Sequence, residues 1–570
     1  MEEIEVEAQG QGGGAGQTAG QTLKIIPLGG LGEIGLNMMV LEYGDSIIVV
    51  DCGLMFPEDY MLGIDIVIPD VSYLIKNRDR VKAFFITHGH EDHTGALPFV
   101  LREINAPIYA TTLTIGLIEE KLREFDLVGK TVFETVRPRD VISVGPFEVE
   151  FIRVSHSIVD GCGLAIKTPL GVVIHTGDFK MDQTPVDGEV LDYARFSQYG
   201  EQGVLALLSD STNVEREGFT LSEREIGHNL EEIFRQSTGR LFVAAFSSNI
   251  HRIQQVVNAA VKFGRKVVLN GKSMVANVRI ARTLGYLTVP DGILVDIKEI
   301  GRLANDELVL LTTGSQGEPM SALTRMAMDN HKQLSIEKGD TVILSSKFIP
   351  GHEKAISTMM NHLYRRGADV IYEKVSEIHV SGHASQEELK IMLNLTRPEY
   401  FIPVHGEYRH LVLHSRLARK VGIPVENIII AEDGDVVEFT GEGAAKSGKV
   451  DYGRVFVDGK GVGDVGAMVI KDRTHLSQDG LVVAVIVINV ATGDTVYGPE
   501  IMTKGLVFEE ESAALLEGAR DAVTGVLDNI NAEARTEQLE AEEEIRRALR
   551  RFFNKKLKRR PVILPVIIET

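Results

Sequence analysis

The sequence predicts an α/β fold divided into several domains. Its 570 residues exceed the length at which a single hydrophobic core normally stops growing. From Leu23 onward, short runs rich in β-branched residues alternate with helical stretches, which indicates helices layered on sheets. Apolar residues make up 44% of the chain, so a sizeable core can form although the chain has no Trp.

The first 22 residues differ in composition from the rest of the chain. Residues 1–22 are rich in Gly, Gln and Glu and contain almost nothing to bury, so we expect a disordered arm. They also lack a basic segment followed by an apolar one, which is the pattern of a secretory leader.

Cysteine usage and hydropathy favour a cytoplasmic protein. Cys52 and Cys162 are too few for a disulfide framework or a cysteine-based zinc finger, and they suit a reducing compartment. The longest apolar run, Leu481–Val490, has about half of the ~20 residues that a membrane helix needs. We therefore interpret that run as a buried strand and expect no membrane partner.

Charge is unevenly distributed. With 60 basic and 81 acidic residues, the net charge of −21 argues against attraction of nucleic acid to the whole surface, but not against a locally basic channel. Residues 240–290 contain basic residues and no Asp or Glu, which indicates either a solvated helical face or a basic binding surface. The basic residues of this acid-free run are Arg240, Arg252, Lys262, Arg265, Lys266, Lys272, Arg279 and Arg282.

The C-terminal part changes character again. Residues 441–466 are rich in Gly and charge and are typical of a linker. Alternating strand and helix patterns follow, including helical stretches over Glu509–Ile530 and Arg535–Leu557, and they predict a small α/β domain. The basic segment Lys555–Arg560 fits a solvated tail better than a nucleic-acid contact, although both remain open.

The most specific pattern is Thr-His-Gly-His-Glu-Asp-His at Thr87–His93. It follows the apolar run Val81–Ile86, which predicts a strand that ends at this point. Three His and one Asp within six residues can converge on one place, and imidazole and carboxylate are both zinc ligands. A polar loop with coincidental histidines is the alternative, and the pattern is too specific to favour it. The candidate ligands are His88, His90, Asp92 and His93.

Three further candidates also follow predicted strands. His156 follows Glu148–Val154, Asp178 follows an apolar run that ends at Gly177, and His405 follows Tyr400–Val404. Each residue alone is more often structural. Because strand ends at one edge of a sheet deliver side chains to a common cleft, the sequence predicts a metal centre there.

These residues carry a family resemblance. The His-x-His-x-Asp-His run, with His156 and Asp178, resembles the metallo-β-lactamase superfamily. Three later motifs resemble its β-CASP branch, whose members process nucleic acids: Ser209–Thr212 (SDST), Ser381–Ser385 (SGHAS) and Pro403–Glu407 (PVHGE). From Ile26–Gly30 (IPLGG) to the C-terminal domain, the order of motifs resembles the bacterial ribonuclease J family over about residues 23–570.

The resemblance implies a domain plan. A metallo-β-lactamase αββα sandwich would carry an inserted β-CASP α/β domain and be followed by a small C-terminal α/β domain. By analogy, the sandwich takes residues 23–222 and 376–450, the insertion 223–375, the linker 451–466 and the C-terminal domain 467–570. The acid-free run then lies in the insertion and is expected to face the cleft opposite the metals.

The resemblance also implies two zinc ions. The first would bind His88, His90, His156 and Asp178, and the second would bind Asp92, His93, His405 and the shared Asp178. Zinc makes hydroxide available near neutral pH, and this hydroxide would attack phosphorus in line. The expected products are a 3′-hydroxyl and a 5′-phosphate.

Other roles come only from the resemblance. His383 would be the general acid for the leaving oxygen with Asp210 as its acidic partner, and Asp51 would support the ligands unless it is a turn residue. Some relatives bind a structural calcium ion at positions that correspond to Gly63, Asp65 and Asp458. Residues similar to a family pocket for the 5′ phosphate are Ser248, Asn249 and the backbone of Ile250 on one side, and His379, Val380, Ser381, Gly382 and His383 on the other.

The function implied is a zinc-dependent ribonuclease with 5′-to-3′ exonuclease and endonuclease activity in mRNA decay and rRNA maturation. We expect RNA with a 5′-monophosphate as substrate, a homodimer or homotetramer formed partly through the C-terminal domain, and other RNA-decay proteins as candidate partners. Alternatives are a DNA nuclease of the same branch, a small-ester hydrolase and a non-enzymatic scaffold. His405 favours RNA, since DNA-directed relatives carry Val there, and the complete ligand set disfavours a scaffold.

Overall fold

A computed structural model describes residues 22–318, 320–346, 352–373, 378–459, 461–506, 513–529 and 538–570. The predicted disordered arm therefore lies outside the described residues, except for Thr22. The chain forms two compact units, one of Met1–Phe56 and Val67–Val455, the other of Pro57–Ile66 and Phe456–Thr570. Within the described ranges, no helix combines the length and hydropathy that crossing a membrane requires.

Two sheets share one core in the larger unit. The first has eight strands in the order Gly443–Lys449, Asp435–Thr440, Leu23–Gly29, Met38–Tyr43, Ser46–Val50, Val81–Phe85, Ile108–Thr111 and Phe133–Val136. The second has six, in the order Pro398–Val404, Val204–Asp210, Gly171–His175, Cys162–Thr168, Phe147–Arg153 and Val141–Val144. Leu31–Gly32 and Gly406–Glu407 form a small parallel pair, and Ile66–Pro69 is a further short strand.

Residues alternate between the two faces of the second sheet. Phe147, Val149 and Phe151 point into the core that the two sheets share, whereas Ile152 and Leu207 belong to the cluster on the opposite face. Because side chains alternate with a period of two and both faces are covered, these strands have nearly continuous apolar sequences. Helices Tyr193–Gln202, Gln386–Thr396 and Tyr408–Lys420 contribute to the cluster on the opposite face. The remaining helices here are Ser72–Lys76, Arg78–Arg80, Glu91–Thr94, Leu97–Val100, Thr112–Arg123 and Val425–Asn427.

The inserted domain is built on a five-stranded parallel sheet. Its strands run in the order Lys266–Asn270, Leu308–Thr312, Leu241–Ala244, Thr341–Leu344 and Asp369–Ile371. Helices of this region are Glu223–Gln236, Ile250–Lys262, Lys272–Thr283, Ile297–Arg302, Asn305–Glu307, Ala322–Ala327 and Glu353–Arg365. Apolar clusters cover both faces of the sheet, as a parallel sheet requires. The predicted sandwich with an α/β insertion is confirmed, while the limits 223–375 stay a prediction.

The smaller unit contains a three-stranded sheet in the order Thr495–Lys504, Leu481–Ile488 and Val562–Glu569. Alternate residues of the central strand, such as Val482 and Ile486, pack in a core with helices Ala513–Asn529 and Gln538–Leu557. Ala467–Asp479 is the helix that precedes this strand. The apolar run was correctly interpreted as a strand, and residues 509–512, 530 and 535–537 of the two predicted helices lie outside the described residues.

Residues 441–466, whose composition is typical of a linker, contain strands, while the linker limits 451–466 stay a prediction. Gly443–Lys449 pairs with Asp435–Thr440 at the edge of the eight-stranded sheet, and short strands follow at Arg454–Asp458 and Gly461–Val462. An edge strand that faces solvent needs no apolar alternation and often carries Lys. Its Gly- and Lys-rich sequence is therefore hard to distinguish from a loop.

Candidate metal centre

The seven predicted ligands lie together at strand ends. His88, His156, Asp178 and His405 each follow a strand of the two shared-core sheets, and His90 immediately precedes the short helix Glu91–Thr94. Their ligand atoms form two sets, each within 4.8 Å, and Asp178 belongs to both. One set is His88, His90, His156 and Asp178, and the other is Asp92, His93, Asp178 and His405.

Distances within the first set match donors around one ion. His90 Nδ1 lies 3.0 Å from His88 Nε2 and 3.2 Å from His156 Nε2. Asp178 Oδ2 lies 3.6 Å from both of those Nε2 atoms. Ligands at about 2.0–2.1 Å from a tetrahedral zinc are about 3.3 Å apart, so this set has the required spacing.

The second set has similar spacing. His405 Nε2 lies 3.4 Å from Asp92 Oδ2 and 3.6 Å from Asp178 Oδ1, and His93 Nε2 lies 3.3 Å from Asp178 Oδ2. Asp178 Oδ1 and His405 Nε2 are buried and make no hydrogen bond to the described residues. Leaving buried polar atoms unsatisfied is unfavourable, and a cation would satisfy both. These residues therefore fit a metal cofactor.

Hydrogen bonds at the far side of the imidazoles orient them. His93 Nδ1 donates to Asp51 Oδ2 at 2.7 Å, and His156 Nδ1 donates to the carbonyl of Gly382 at 2.8 Å. These contacts direct each Nε2 toward the centre, the arrangement usual for metal-binding histidines. Asp51, with φ 62°, occupies the left-handed region that few non-glycine residues adopt, as does His405 with φ 54°.

Thr212 orients His405 and was missed as a functional residue by the sequence reasoning. Its hydroxyl donates to the His405 carbonyl at 3.1 Å, so its oxygen is free to accept from His405 Nδ1 at 2.5 Å. Thr212 lies within the SDST motif, which was the available signal. Within that motif, the family resemblance implied a role for Asp210 and none for Thr212.

Electrostatics differ between the two sets. Burial lowers the pKa of His90 to about 4 and that of His156 to about 3, although the carboxylate of Asp178 opposes this change. Both imidazoles are therefore neutral near pH 7, the form that binds a metal. Burial also lowers the pKa of His405, but the carboxylates of Asp178, Asp92 and Asp210 together outweigh it and raise the value to about 9. A metal bound at the second set must consequently displace a proton.

His383 and Asp210 form a separate pair beside the ligands. His383 Nδ1 donates to Asp210 Oδ2 at 2.7 Å, and Asp210 Oδ1 accepts from the N–H of Thr212 at 2.9 Å. Burial alone would lower the pKa of His383, but Asp210 and Asp178 raise it above its ordinary value. His383 is also within ligand distance of Asp178 and His405, so a metal test must distinguish an acid from a ligand.

Residues expected on the first side of the phosphate pocket already form hydrogen bonds within the protein. Asn249 precedes the helix Ile250–Lys262, and its side-chain oxygen accepts from the N–H of Arg252 at 3.0 Å. The N–H of Ile250 donates to the Ser248 carbonyl at 2.9 Å. The Asn249 side-chain oxygen and the Ile250 N–H, both expected at a phosphate, thus already have hydrogen-bond partners at the start of this helix.

On the opposite side of the pocket, close packing requires a glycine. A Cβ atom at Gly382 would lie 2.5 Å from Cε1 of His156, so only glycine fits there. The hydroxyl oxygen of Ser381 accepts a hydrogen bond from the N–H of His383 at 3.1 Å. Val380 is buried, and His379 is half-buried. This segment therefore holds His156 and His383 in place, and its role in a phosphate pocket stays a prediction.

The residues of the predicted calcium site have other partners. Asp65 Oδ2 accepts from the N–H of Gly459 at 2.8 Å, and Asp458 Oδ2 pairs with Arg473 Nη2 at 2.6 Å. Gly63 also lies against the Arg473 guanidinium. Because arginine already supplies positive charge here, calcium binding stays a prediction.

The basic residues of the acid-free run do not share one environment, and the expectation that the run faces the cleft opposite the metals stays a prediction. Arg240, Arg252 and Arg265 are buried, which removes three of its eight charges from the surface. Arg240 pairs with Asp340 at 2.6 Å, and Arg265 donates to backbone carbonyls. Three exposed basic residues of the run pair with acids from elsewhere in the chain: Lys262 with Glu231, Lys272 with Glu124 and Arg279 with Glu120. Folding brings these acids to a run that has none of its own.

Comparison with known families agrees with this arrangement. The metallo-beta-lactamase superfamily matches residues 31–205, and the "Ribonuclease J, beta-CASP domain" matches 238–363. The "Zn-dependent metallo-hydrolase RNA specificity domain" matches 367–429, and the "Ribonuclease J C-terminal domain" matches 468–570.

Similar proteins cover nearly the whole chain. Ribonuclease J2 of Bacillus subtilis is 44% identical over 549 residues, 96% of this chain and 99% of that protein. Ribonuclease J of Thermus thermophilus is 45% identical over 554 residues, 96% and 95% of the two chains. A crystal structure of an Enterococcus faecalis protein of unknown function has a TM-score of 0.53 at 18% identity, covering 73% of this chain and 100% of that one. At that identity the likeness concerns the fold alone.

Proposed function

The chain belongs to the ribonuclease J family, and from this premise we propose that it is a zinc-dependent ribonuclease that both trims RNA from its 5′ end and cuts it internally. That it is a metal-using nuclease of the hydrolase class follows from the family. The observation that carries the finer proposal is the pair of ligand sets sharing Asp178, with His383 and Asp210 beside them.

We assign His88, His90, His156 and Asp178 to one zinc ion, and Asp92, His93, His405 and Asp178 to the other. When bound, zinc makes hydroxide available near neutral pH and offsets charge on the phosphate oxygens. The unsatisfied Asp178 Oδ1 and His405 Nε2 support this assignment. Asp51 and Thr212 keep the rings of His93 and His405 oriented for it.

His383 acts as the general acid in this proposal. Its contact with Asp210 occupies Nδ1, so Nε2 is the atom that gives a proton to the leaving 3′ oxygen. The raised pKa of His383, which Asp210 and Asp178 cause against the effect of burial, keeps that proton in place near neutral pH. The products are a 5′-phosphate and a 3′-hydroxyl.

The remaining parts of the proposal rest on the family. Ser248, Asn249 and Ile250 on one side and the segment from His379 to His383 on the other receive the 5′-monophosphate. The enzyme acts in the cytoplasm in mRNA decay and rRNA maturation, as a homodimer or homotetramer, with RNA-decay proteins as further partners. The domain limits and the calcium ion at Asp65 and Asp458 belong to the same proposal.

A substrate panel tests the function. One metal-replete sample is given 5′-monophosphorylated RNA, DNA of the same sequence and a β-lactam, and end-labelled products are mapped. We expect cleavage of RNA alone, with 5′-phosphate ends. Preferential cleavage of DNA would favour the other nuclease branch, and hydrolysis of the β-lactam alone would favour a small-ester hydrolase.

A further inference from the structure

Arg252 is fully buried in the helix Ile250–Lys262, although an arginine is rarely buried unless all its donors are used. Its guanidinium contacts four groups. Nε donates to Gln255 at 2.9 Å, Nη2 to Glu223 at 2.8 Å, and Nη1 to the carbonyl of Ile378 at 2.6 Å and to the hydroxyl of Ser345. These groups come from four separate parts of the chain.

The contacts of Arg252 reach both halves of the proposed phosphate pocket. Its backbone N–H holds the side chain of Asn249 on the first side. Its guanidinium holds the carbonyl of Ile378, which directly precedes His379 on the second side. The hydroxyl of Ser345 donates to the same carbonyl at 2.6 Å. One buried residue thus connects the two sides.

Glu223 extends the connection toward the metal ligands. It is buried, and its Oε1 lies 3.6 Å from Lys180 Nζ, in the segment that follows Asp178. Burial would raise the pKa of Glu223, but Arg252 and Lys180 outweigh it and lower the value to about 2. The carboxylate therefore stays charged against the guanidinium, and the N–H of Lys180 donates to the carbonyl of Ser155, beside the ligand His156.

We infer that Arg252 is a positioning residue that sets the spacing of the two halves of the 5′-phosphate pocket relative to the metal centre. The inference rests on the proposed function. A purely structural arginine would affect all substrates alike, whereas a positioning residue affects those that use the pocket. RNA with a 5′-monophosphate uses it, and circular RNA of the same sequence has no end to place there.

The test compares Arg252→Lys with the wild type on these two substrates. Lysine keeps the charge but lacks the planar fork, so it cannot hold Glu223 and Ile378 together. We expect KM for the monophosphorylated RNA to rise at least about tenfold, because small misplacements of binding groups are costly, while its kcat and the cleavage of circular RNA change less than about twofold.

The matched control is Arg240→Lys. Arg240 is a buried arginine of the same domain, and its guanidinium contacts Asp340 and the carbonyl of Ser335 rather than the pocket residues. Its KM should stay at the wild-type value on both substrates. If Arg252→Lys does not fold, Ser345→Ala replaces it. This variant removes the second donor to Ile378 and one acceptor of Arg252, and it should raise KM in the same direction.

Equal loss on linear and circular RNA, or an unchanged KM in both Arg252→Lys and Ser345→Ala, would overturn the inference. Failure of the proposed function is distinguishable, because wild-type enzyme would then show no preference for a 5′-monophosphate or no cleavage of RNA.

Discussion

At the strand ends of the shared-core sheets, seven candidate ligands face one another, whereas basic residues of the acid-free run contact different partners. Both groups stand out in the sequence. Imidazole and carboxylate ligands lie close together because a metal ion is bound only where several ligand atoms meet. Like charges repel one another and need separate partners, so members of the acid-free run pair with individual acids or carbonyls, as Arg240 does with Asp340. A cluster in sequence therefore predicts a cluster in space only when the chemistry needs one.

The largest effect is expected from removal of Asp178, the ligand that both sets share. Asp178→Ala takes one donor from both sets, so we expect the zinc content to fall well below about two ions per chain and cleavage of RNA to be lost. Metal analysis and an RNA cleavage assay measure the two effects. Chelation of the wild type followed by added zinc is the control, and full activity of metal-free protein would contradict the mechanism.

The next prediction separates the acid from the ligands. His383→Ala should lower kcat by roughly 10²- to 10⁴-fold while zinc content stays intact, unlike in His90→Ala. A substrate with sulfur in place of the leaving 3′ oxygen needs little protonation and should recover much of the rate. Loss of zinc would make His383 a ligand, and absence of recovery on the sulfur substrate would remove it from the acid role.

The pH profile provides a second readout of His383. Its pKa is raised above the ordinary value, so the needed proton is present at neutral pH and is lost as the pH rises through the raised pKa. In the wild type, kcat should fall on the alkaline side, and this decline should be absent in His383→Ala.

The smallest effects are expected for the stability of variants in the acid-free run. Arg240→Met leaves Asp340 buried without its partner and should lower the free energy of unfolding by about 3–5 kcal/mol. Lys262→Met removes an ion pair whose side chains are 56% and 37% exposed and should cost at most about 1 kcal/mol. Urea unfolding of both variants measures the difference, and equal losses would contradict the contrast between a buried and an exposed ion pair.

Much of the metal centre could be predicted because its signals are local. His88, His90, Asp92 and His93 lie within six residues, and the strand that precedes them is a continuous apolar run. The α/β class followed from the same alternation of strands and helices. The edge strand Gly443–Lys449 could not be recognised, since a solvent-facing strand leaves no apolar pattern.

By itself, the sequence determined which residues could bind a metal, because ligand chemistry depends on residue type and close spacing. Only the tertiary structure decided how those residues are held. His93 is oriented by Asp51, 42 residues away, His405 by Thr212, 193 residues away, and His156 by Gly382, 226 residues away. The burial of Arg252 was likewise decided by folding, because its partners are gathered from distant segments. Contacts over such separations depend on the register and packing of whole sheets, which no local pattern encodes.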